Sequence, residues 1–341
     1  MARLAGVSPA VVSYVLNNGP RPVAGPTRER VEAAVRRLDY RPNAIASALR
    51  GGSTRSIGFL TPNQRNPFYA ELTEAVERRF NARGYLVLIG NTSNDRSREE
   101  AYLRTFIDRR VDALVVSSGV SLTRSPPAAM HAVPVVVLEE DRNGTTFSSI
   151  GSQEAADAAT AVEHLQRHGH HLIGCVGGPP WITVEAFRIA GWRQQQDAEG
   201  FPAGDEMLAV AEHSAPGGNS AALQLLSEHG RPWTLHGRRP SALFVTSDAQ
   251  ATGAIYACHE LGLRVPEDVA IVSFGGTQTA SYTIPPLTTL RQDIDYLATA
   301  TVSHLCEAIA DPQTPRVELA VRGNLVISRS CGCDFNRPAG P

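Results

Sequence analysis

Short apolar runs separated by amphipathic stretches dominate residues 56–275 and leave the chain few possible architectures. "SIGFLTP", "YLVLIGNT", "VDALVVSS" and "PVVVLEE" form a first series, and "HLIGCVGG", "MLAVAEH", "SALFVTS" and "VAIVSFGG" a second. Each is too brief for a stable helix and reads as a strand buried on both faces, while intervening stretches such as 68–82 and 97–109 carry helical periodicity. Strands that alternate with helices are joined by crossovers, and crossovers make the sheets parallel. The expected fold class is therefore α/β, with two doubly wound parallel-sheet lobes facing a cleft.

At 341 residues and 42% hydrophobic content the chain can fill more than one core. No apolar run is long enough to span a membrane, and the N-terminus lacks the pattern of a secretory signal, so a cytoplasmic protein with no membrane partner is expected. The five cysteines, Cys175, Cys258, Cys306, Cys331 and Cys333, are expected to be reduced thiols. Cys331-Gly-Cys333 has no neighbouring ligands in sequence. His168, His170 and His171 have no cysteine or carboxylate at ligand spacing, so neither group is expected to bind metal.

The net charge of −2 hides an asymmetry. Residues 1–56 hold nine arginines against Glu29, Glu32 and Asp39, a balance of +6, which leaves −8 for the remainder. A small basic module on a larger acidic body is the charge division of a DNA-binding head on a domain with another task. Within "VSPAVVSYVLN", Ser8 is a good N-cap and Pro9 suits the first helical position. Val11, Val12, Val15 and Leu16 then share one arc of the helix, and Pro9, Ala10, Ser13, Tyr14 and Asn17 share the other. Gly6 supplies the turn of a helix-turn-helix after the stub Met1–Ala5. A third helix capped by Thr27 should turn Val31, Ala34, Val35 and Leu38 inward and Arg28, Arg30, Arg36 and Arg37 outward. After it, "RPNAIASALRGG" reads as a linker that becomes helical only against a partner, with Leu49 as its large apolar side chain. Two such segments from a dimer would enter a minor groove and part a base step with their leucines.

The stretches "AGVSPAVVSYVLN", "TRERVEAAVRRLDYRPNAIASALR", "SIGFLTP", "NPFYAEL", "GLRVPEDVAIVSF" and "PPLTTLRQD", in this order, resemble the lac repressor/galactose repressor family of bacterial transcription regulators. The likeness extends from Met1 to about Ser330. It implies a helix-turn-helix head over 1–40, a hinge helix and linker over 41–55, and an effector-binding and dimerisation domain over 56–330 like the periplasmic binding proteins. One lobe would take 56–151 plus 287–316 and the other 152–286 plus 317–330, with chain crossings near Ser152, Pro286–Asp293 and Val317–Leu325. Residues 331–341 would form a tail.

The resemblance makes Pro9, Ala10 and Tyr14 the positions that face the major groove and Leu49 the minor-groove lever, with Ser8, Ser13, Asn17, Asn43 and Ala46 as further DNA-binding residues. Pro9 and Ala10 depart from the hydrogen-bonding residues of better-known members, so base reading falls to Ser13 and Tyr14. In open α/β sheets ligands bind beyond the carboxyl ends of strands. Phe68 and Tyr69 follow the first strand as stacking faces, and the resemblance adds Arg188, His213, Ser247, Asp248, Gly275 and Gln292. Gly275 stands where an aspartate is common, and Gly151-Ser152 where an Asp-Asn pair is common. Both departures weaken a simple-sugar assignment, yet carbohydrate leads and a purine-like metabolite follows.

No phosphate loop, nucleophile elbow or zinc-hydrolase motif is present, and neither catalysis nor a cofactor is expected. The expected function is a repressor that binds a pseudo-palindromic operator in double-stranded DNA as a homodimer, or as a tetramer of two dimers, under control of a small-molecule effector. A ligand-binding receptor with a degenerate head is the competing reading, opposed by the basic head and the missing signal. The first helix of family members begins earlier than this chain, and the position of Met1 is commonly valine. A GTG start misassigned to Met1 is therefore expected, with natural chain upstream.

Overall fold

The computed structural model describes residues 1–16, 22–40, 52–117, 128–138, 146–201, 203–227 and 239–333. The chain divides into two compact units, residues 1–54 and 55–341.

In the smaller unit, helices α1 (Ala2–Ala5), α2 (Pro9–Leu16) and α3 (Gly25–Arg37) surround Ala5, Val12, Val15, Val31 and Ala34. Gly6 joins α1 to α2 at φ 63°, a left-handed conformation that an L side chain resists. Ser8 caps α2, its hydroxyl accepting from the Val11 N–H at 3.4 Å. The cap expected at Thr27 is corrected: the N-cap is Ala24, three residues earlier, because Pro26 occupies the first turn of α3 and the Thr27 N–H already bonds to the Ala24 carbonyl. Leu38 is also corrected, being half-exposed beyond the last helical residue rather than inward.

The larger unit contains two six-stranded sheets. The first has β1 (Ser56–Thr61), β2 (Leu86–Asn91), β3 (Ala113–Val116), β4 (Val135–Val137), β5 (Ser148–Ser152) and β11 (Glu318–Val321), in the order β11-β5-β4-β3-β1-β2. The second has β6 (Ile173–Gly177), β7 (Leu208–Val210), β8 (Ala242–Val245), β9 (Ala270–Gly275), β10 (Thr288–Arg291) and β12 (Asn324–Val326), in the order β12-β10-β9-β8-β6-β7. Five strands of each sheet follow the same order, so the lobes repeat one topology apart from the sixth strand. Pairing is parallel except between β10 and β12. Helices α4 (Pro67–Asn81), α5 (Arg96–Asp108) and α10 (Ile294–Ala310) serve the first lobe. The second has α6 (Glu154–Arg167), α7 (Thr183–Ala198), α8 (Ala215–Leu226) and α9 (Asp248–Glu260).

All eight runs identified as strands contain one. β2 differs in burial, because it lies at a sheet edge and leaves Leu86 and Ile89 exposed. The lobe boundaries also shift. β10 belongs to the second sheet and β11 to the first, so the chain crosses at Gln292–Asp293 and again at Arg322–Gly323. Cys331 lies in the core of the second lobe with Cys333 against it, so the lobe extends past the expected tail boundary.

The three crossings brace one another. Gln153 donates to the Ala320 carbonyl at 3.3 Å, the Gly323 N–H to Asp157 Oδ2 at 2.9 Å, and Gln292 Nε2 to Ser152 Oγ at 2.8 Å.

Candidate functional site

On the head, Ser8, Pro9, Ala10 and Ser13 are exposed on one side of α2 and Tyr14 is half-buried beside them, while Val12 and Val15 face the core. The helix therefore presents the expected face. Arg30, Arg36 and Arg37 are exposed on α3 and Arg28 is half-buried. Asn17, Asn43, Ala46 and Leu49 lie outside the described residues.

Between the lobes, all eight predicted effector residues line one pocket, together with Asn66, Phe274 and Thr277. Phe68 and Tyr69 open α4, whose first turn is fixed by Asn66 Oδ1 accepting from the Phe68 N–H at 3.1 Å. Their rings meet edge to face, centroids 5.3 Å apart. Phe68, Tyr69, Arg188 and Gln292 also line an adjoining compartment with Ser152 and Glu154. Water-sized space amounts to only ≈ 10 Å³ in the first and ≈ 20 Å³ in the second. That is room for about one water apiece. A ligand larger than water requires the lobes to part, and Glu71 Oε1 on α4 accepts from the Gln278 N–H of the opposite lobe at 2.9 Å.

Arg188 explains the tightness. Its Nε contacts Glu154 Oε2 at 2.6 Å and its Nη1 contacts Glu185 Oε1 at 3.3 Å and the Thr246 carbonyl at 2.8 Å. The guanidinium carbon lies 4.0 Å from the centroid of the Phe274 ring. Burial disfavours the arginine's charge, but the two glutamates hold its proton more firmly than usual. Burial likewise works against the Glu185 carboxylate, yet His213, 2.9 Å away, and Arg188 bring its pKa down to about 2. The Glu185 Oε2 atom accepts from the Gly178 N–H at 2.7 Å. A Cβ on Gly178 would stand 2.2 Å from His213 Nε2, so glycine is what lets the network close.

Asp248 and Ser247 serve their own lobe. Burial pushes the Asp248 carboxyl up, while Ser273 Oγ, the Thr277 N–H, Thr289 Oγ1 and Thr277 Oγ1 all donate to it at 2.6–2.9 Å. Ser247 caps α9 through the Gln250 N–H. Gly275 has φ 132°, and its Cβ would lie 3.0 Å from Asp248 Oδ2. An aspartate there would be strained and would face a second carboxylate, which accounts for the glycine. Gln292 Nε2 donates to Ser152 and Glu154, but its buried Oε1, like His213 Nε2, has no hydrogen-bond partner among the described residues.

A model of the lacI family of bacterial regulatory proteins matches residues 1–43, and one of the periplasmic binding protein-like domain matches 162–331. The ribose operon repressor of Escherichia coli K12 is 33% identical over 94% of this chain and 95% of its own length. The chain belongs to the LacI family. The PurR repressor of Klebsiella pneumoniae is 32% identical, over 97% of this chain and 95% of its own. A lac repressor dimer bound to operator and an anti-inducer superposes with TM-score 0.82 at 27% identity, covering 97% of each chain. This LacI-family chain is a DNA-binding transcription regulator, not an enzyme, and the receptor reading with a degenerate head is set aside. No helix among its described residues is long and apolar enough to cross a membrane.

Glu154 and Glu185 are site residues beyond the expected set. Glu185 precedes Arg188 by three residues on one helix, a spacing at which side chains meet, whereas Glu154 reaches the site only through the fold. In sequence the histidines and Cys331-Gly-Cys333 are far apart. Folding joins His168, and the unremarked His164, to both cysteines, whereas His170 contacts Ser241 and His171 stacks on Phe201.

Proposed function

We propose that this LacI-family regulator is a cytoplasmic homodimeric repressor whose grip on a pseudo-palindromic operator changes when a small polyhydroxy compound enters the interlobe cleft. The observation that carries the reading is the meeting of eight residues from both lobes and the hinge around Gln292 Oε1, which has no partner among the described residues. A buried acceptor without a donor is costly, and a ligand hydroxyl would satisfy it. Arg188 and Glu154 beside it offer the alternating donors and acceptors that vicinal hydroxyls match, and Phe68 and Tyr69 offer faces for a sugar ring.

Ligand entry would separate the Glu71–Gln278 contact and turn the lobes about the three crossings, an equilibrium that the effector biases by its differential affinity. That bias would reach DNA through residues 41–55, where Asn43, Ala46 and Leu49 carry the minor-groove role. Ser8, Pro9, Ala10, Ser13, Tyr14 and Asn17 would face the major groove. The exposed edge strand β2, with Leu86 and Ile89 uncovered, suits burial against a second copy. Two-fold symmetry then sets the spacing of half-sites.

Thermal melting of the full-length protein with a panel of pentoses, hexoses and purine bases tests the effector class. A sugar that raises Tm in the parent protein and fails to do so in Gln292→Met supports the reading. A shift given by a purine base alone would replace it.

A further inference from the structure

We propose that His164, His168, Cys331 and Cys333 form a zinc-binding site that fastens the end of the chain to the second lobe. His164 lies in the last turn of α6 and His168 is its C-cap, so the two imidazoles are four residues apart on one face, with ring centroids 4.8 Å apart. The cysteines arrive from the segment after β12. That segment is held to the second sheet by hydrogen bonds from the Ile271 N–H to the Ser330 carbonyl at 2.7 Å and from Ser330 Oγ to the Ile271 carbonyl at 2.6 Å. Gly332 turns between them at φ 86°, which lets both sulfurs reach the same pair of imidazoles.

The ligand atoms of the four residues all lie within 4.8 Å of one another. Cys333 Sγ is 3.1 Å from His168 Nε2 and 3.6 Å from His164 Nε2. In a tetrahedral zinc site, bonds of about 2.3 Å to sulfur and about 2.0 Å to nitrogen place neighbouring ligand atoms roughly 3.3–3.8 Å apart. The cluster needs only small side-chain adjustments to meet that geometry. Two thiolates and two imidazoles in a tetrahedral array favour zinc over the hard cations that prefer oxygen. Outer support is already in position, because Thr288 Oγ1 donates to the buried Cys331 sulfur at 3.0 Å and would stabilise its thiolate.

Binding replaces both S–H bonds with S–Zn bonds and releases two protons to solvent, while the histidines bind as neutral imidazoles. Two thiolates cancel the charge of the ion, so the partly buried site becomes neutral. The closed site ties residues 331–333 to α6, whose first turn carries Glu154 of the cleft and Asp157 of the hinge. It is a structural site, complete with four protein ligands and no position for a substrate.

The test uses the full-length protein, purified under reducing conditions, with metal content measured by mass spectrometry and Co²⁺ used as a spectroscopic stand-in. The expected result is one zinc per chain, a fall in Tm on chelation that added Zn²⁺ reverses, and a tetrahedral Co²⁺ spectrum with thiolate charge-transfer bands. Cys333→Ser and His168→Ala leave the buried Cys331 in place, and each should lose the metal while keeping the parent circular dichroism. Absence of stoichiometric binding to protein with titratable free thiols would overturn the proposal. So would metal retained equally by both variants, or a Cys331–Cys333 disulfide in the freshly isolated protein.

Discussion

Replacing Arg188 with methionine removes the cation from a site where two carboxylates stay behind. The Glu185 side chain is fully buried and that of Glu154 is 4% exposed, so neither can recover its lost partner from water. Breaking a buried ion pair from one side costs about 3–5 kcal/mol. At roughly 2–4 °C per kcal/mol for a large domain, Tm should fall by about 6–20 °C. Part of that loss is the stranded charge of Glu154, so adding Glu154→Gln to Arg188→Met should cost far less than Glu154→Gln alone. Urea denaturation of the parent, both single variants and the double variant at pH 7 measures the difference as a coupling energy, expected to exceed about 2 kcal/mol. The pH dependence has a definite sign. The Glu185 pKa is lowered to about 2, so its contribution is complete above its unfolded value near 4.5 and is lost as pH falls toward 2. Parent and Arg188→Met stabilities should therefore converge in acid. Additive effects within about 0.5 kcal/mol, or a gap that stays constant down to pH 3, would refute the ion network as the organiser of the cleft.

Asp157 works in the opposite direction. Burial raises its pKa to about 6 despite the Gly323 N–H, with Glu154 adding to the rise, so its cost is complete above pH 6 and vanishes below its unfolded value near 3.8. Asp157→Asn should stabilise the protein by about 1–2 kcal/mol at pH 8 and by nothing at pH 3.5, as read by urea melts at each pH. A Cβ on Gly253 would stand 1.9 Å from the Ala215 carbonyl oxygen where α8 and α9 cross, so Gly253→Ala should cost about 1–3 kcal/mol or more in the same assay. Leu49→Ala should weaken operator binding by roughly tenfold, about 1.4 kcal/mol, and leave binding to random duplex unchanged in anisotropy titrations. Equal losses on both duplexes would remove Leu49 from the minor groove.

The strands were legible because parallel strands covered on both faces are apolar almost throughout, as β3, β6 and β8 are. Edge position was not legible, since Leu86 and Ile89 are as apolar as any core residue. By sequence β10 and β11 fall in opposite lobes but in reverse, because a three-fold crossing leaves no compositional mark. Phe68, Tyr69 and Arg188 were reached by strand-end position and resemblance, and the pocket contains them. That Asp248 and Ser247 bond within their own lobe depends on Thr277, Thr289 and Gln250, residues whose approach only the fold creates. The His164–His168 spacing was readable as an imidazole pair on one helical face. Its cysteines were not, since more than 160 residues separate them from α6.

The central claim is that the head of this LacI-family chain recognises a symmetric DNA site as part of a dimer. Selection from random duplex DNA with the purified full-length protein, shown to be folded, tests it most directly. The account predicts enrichment of a pseudo-palindrome whose half-sites follow the two-fold axis of the dimer. Failure of a folded, dimeric protein to enrich any palindrome would contradict it.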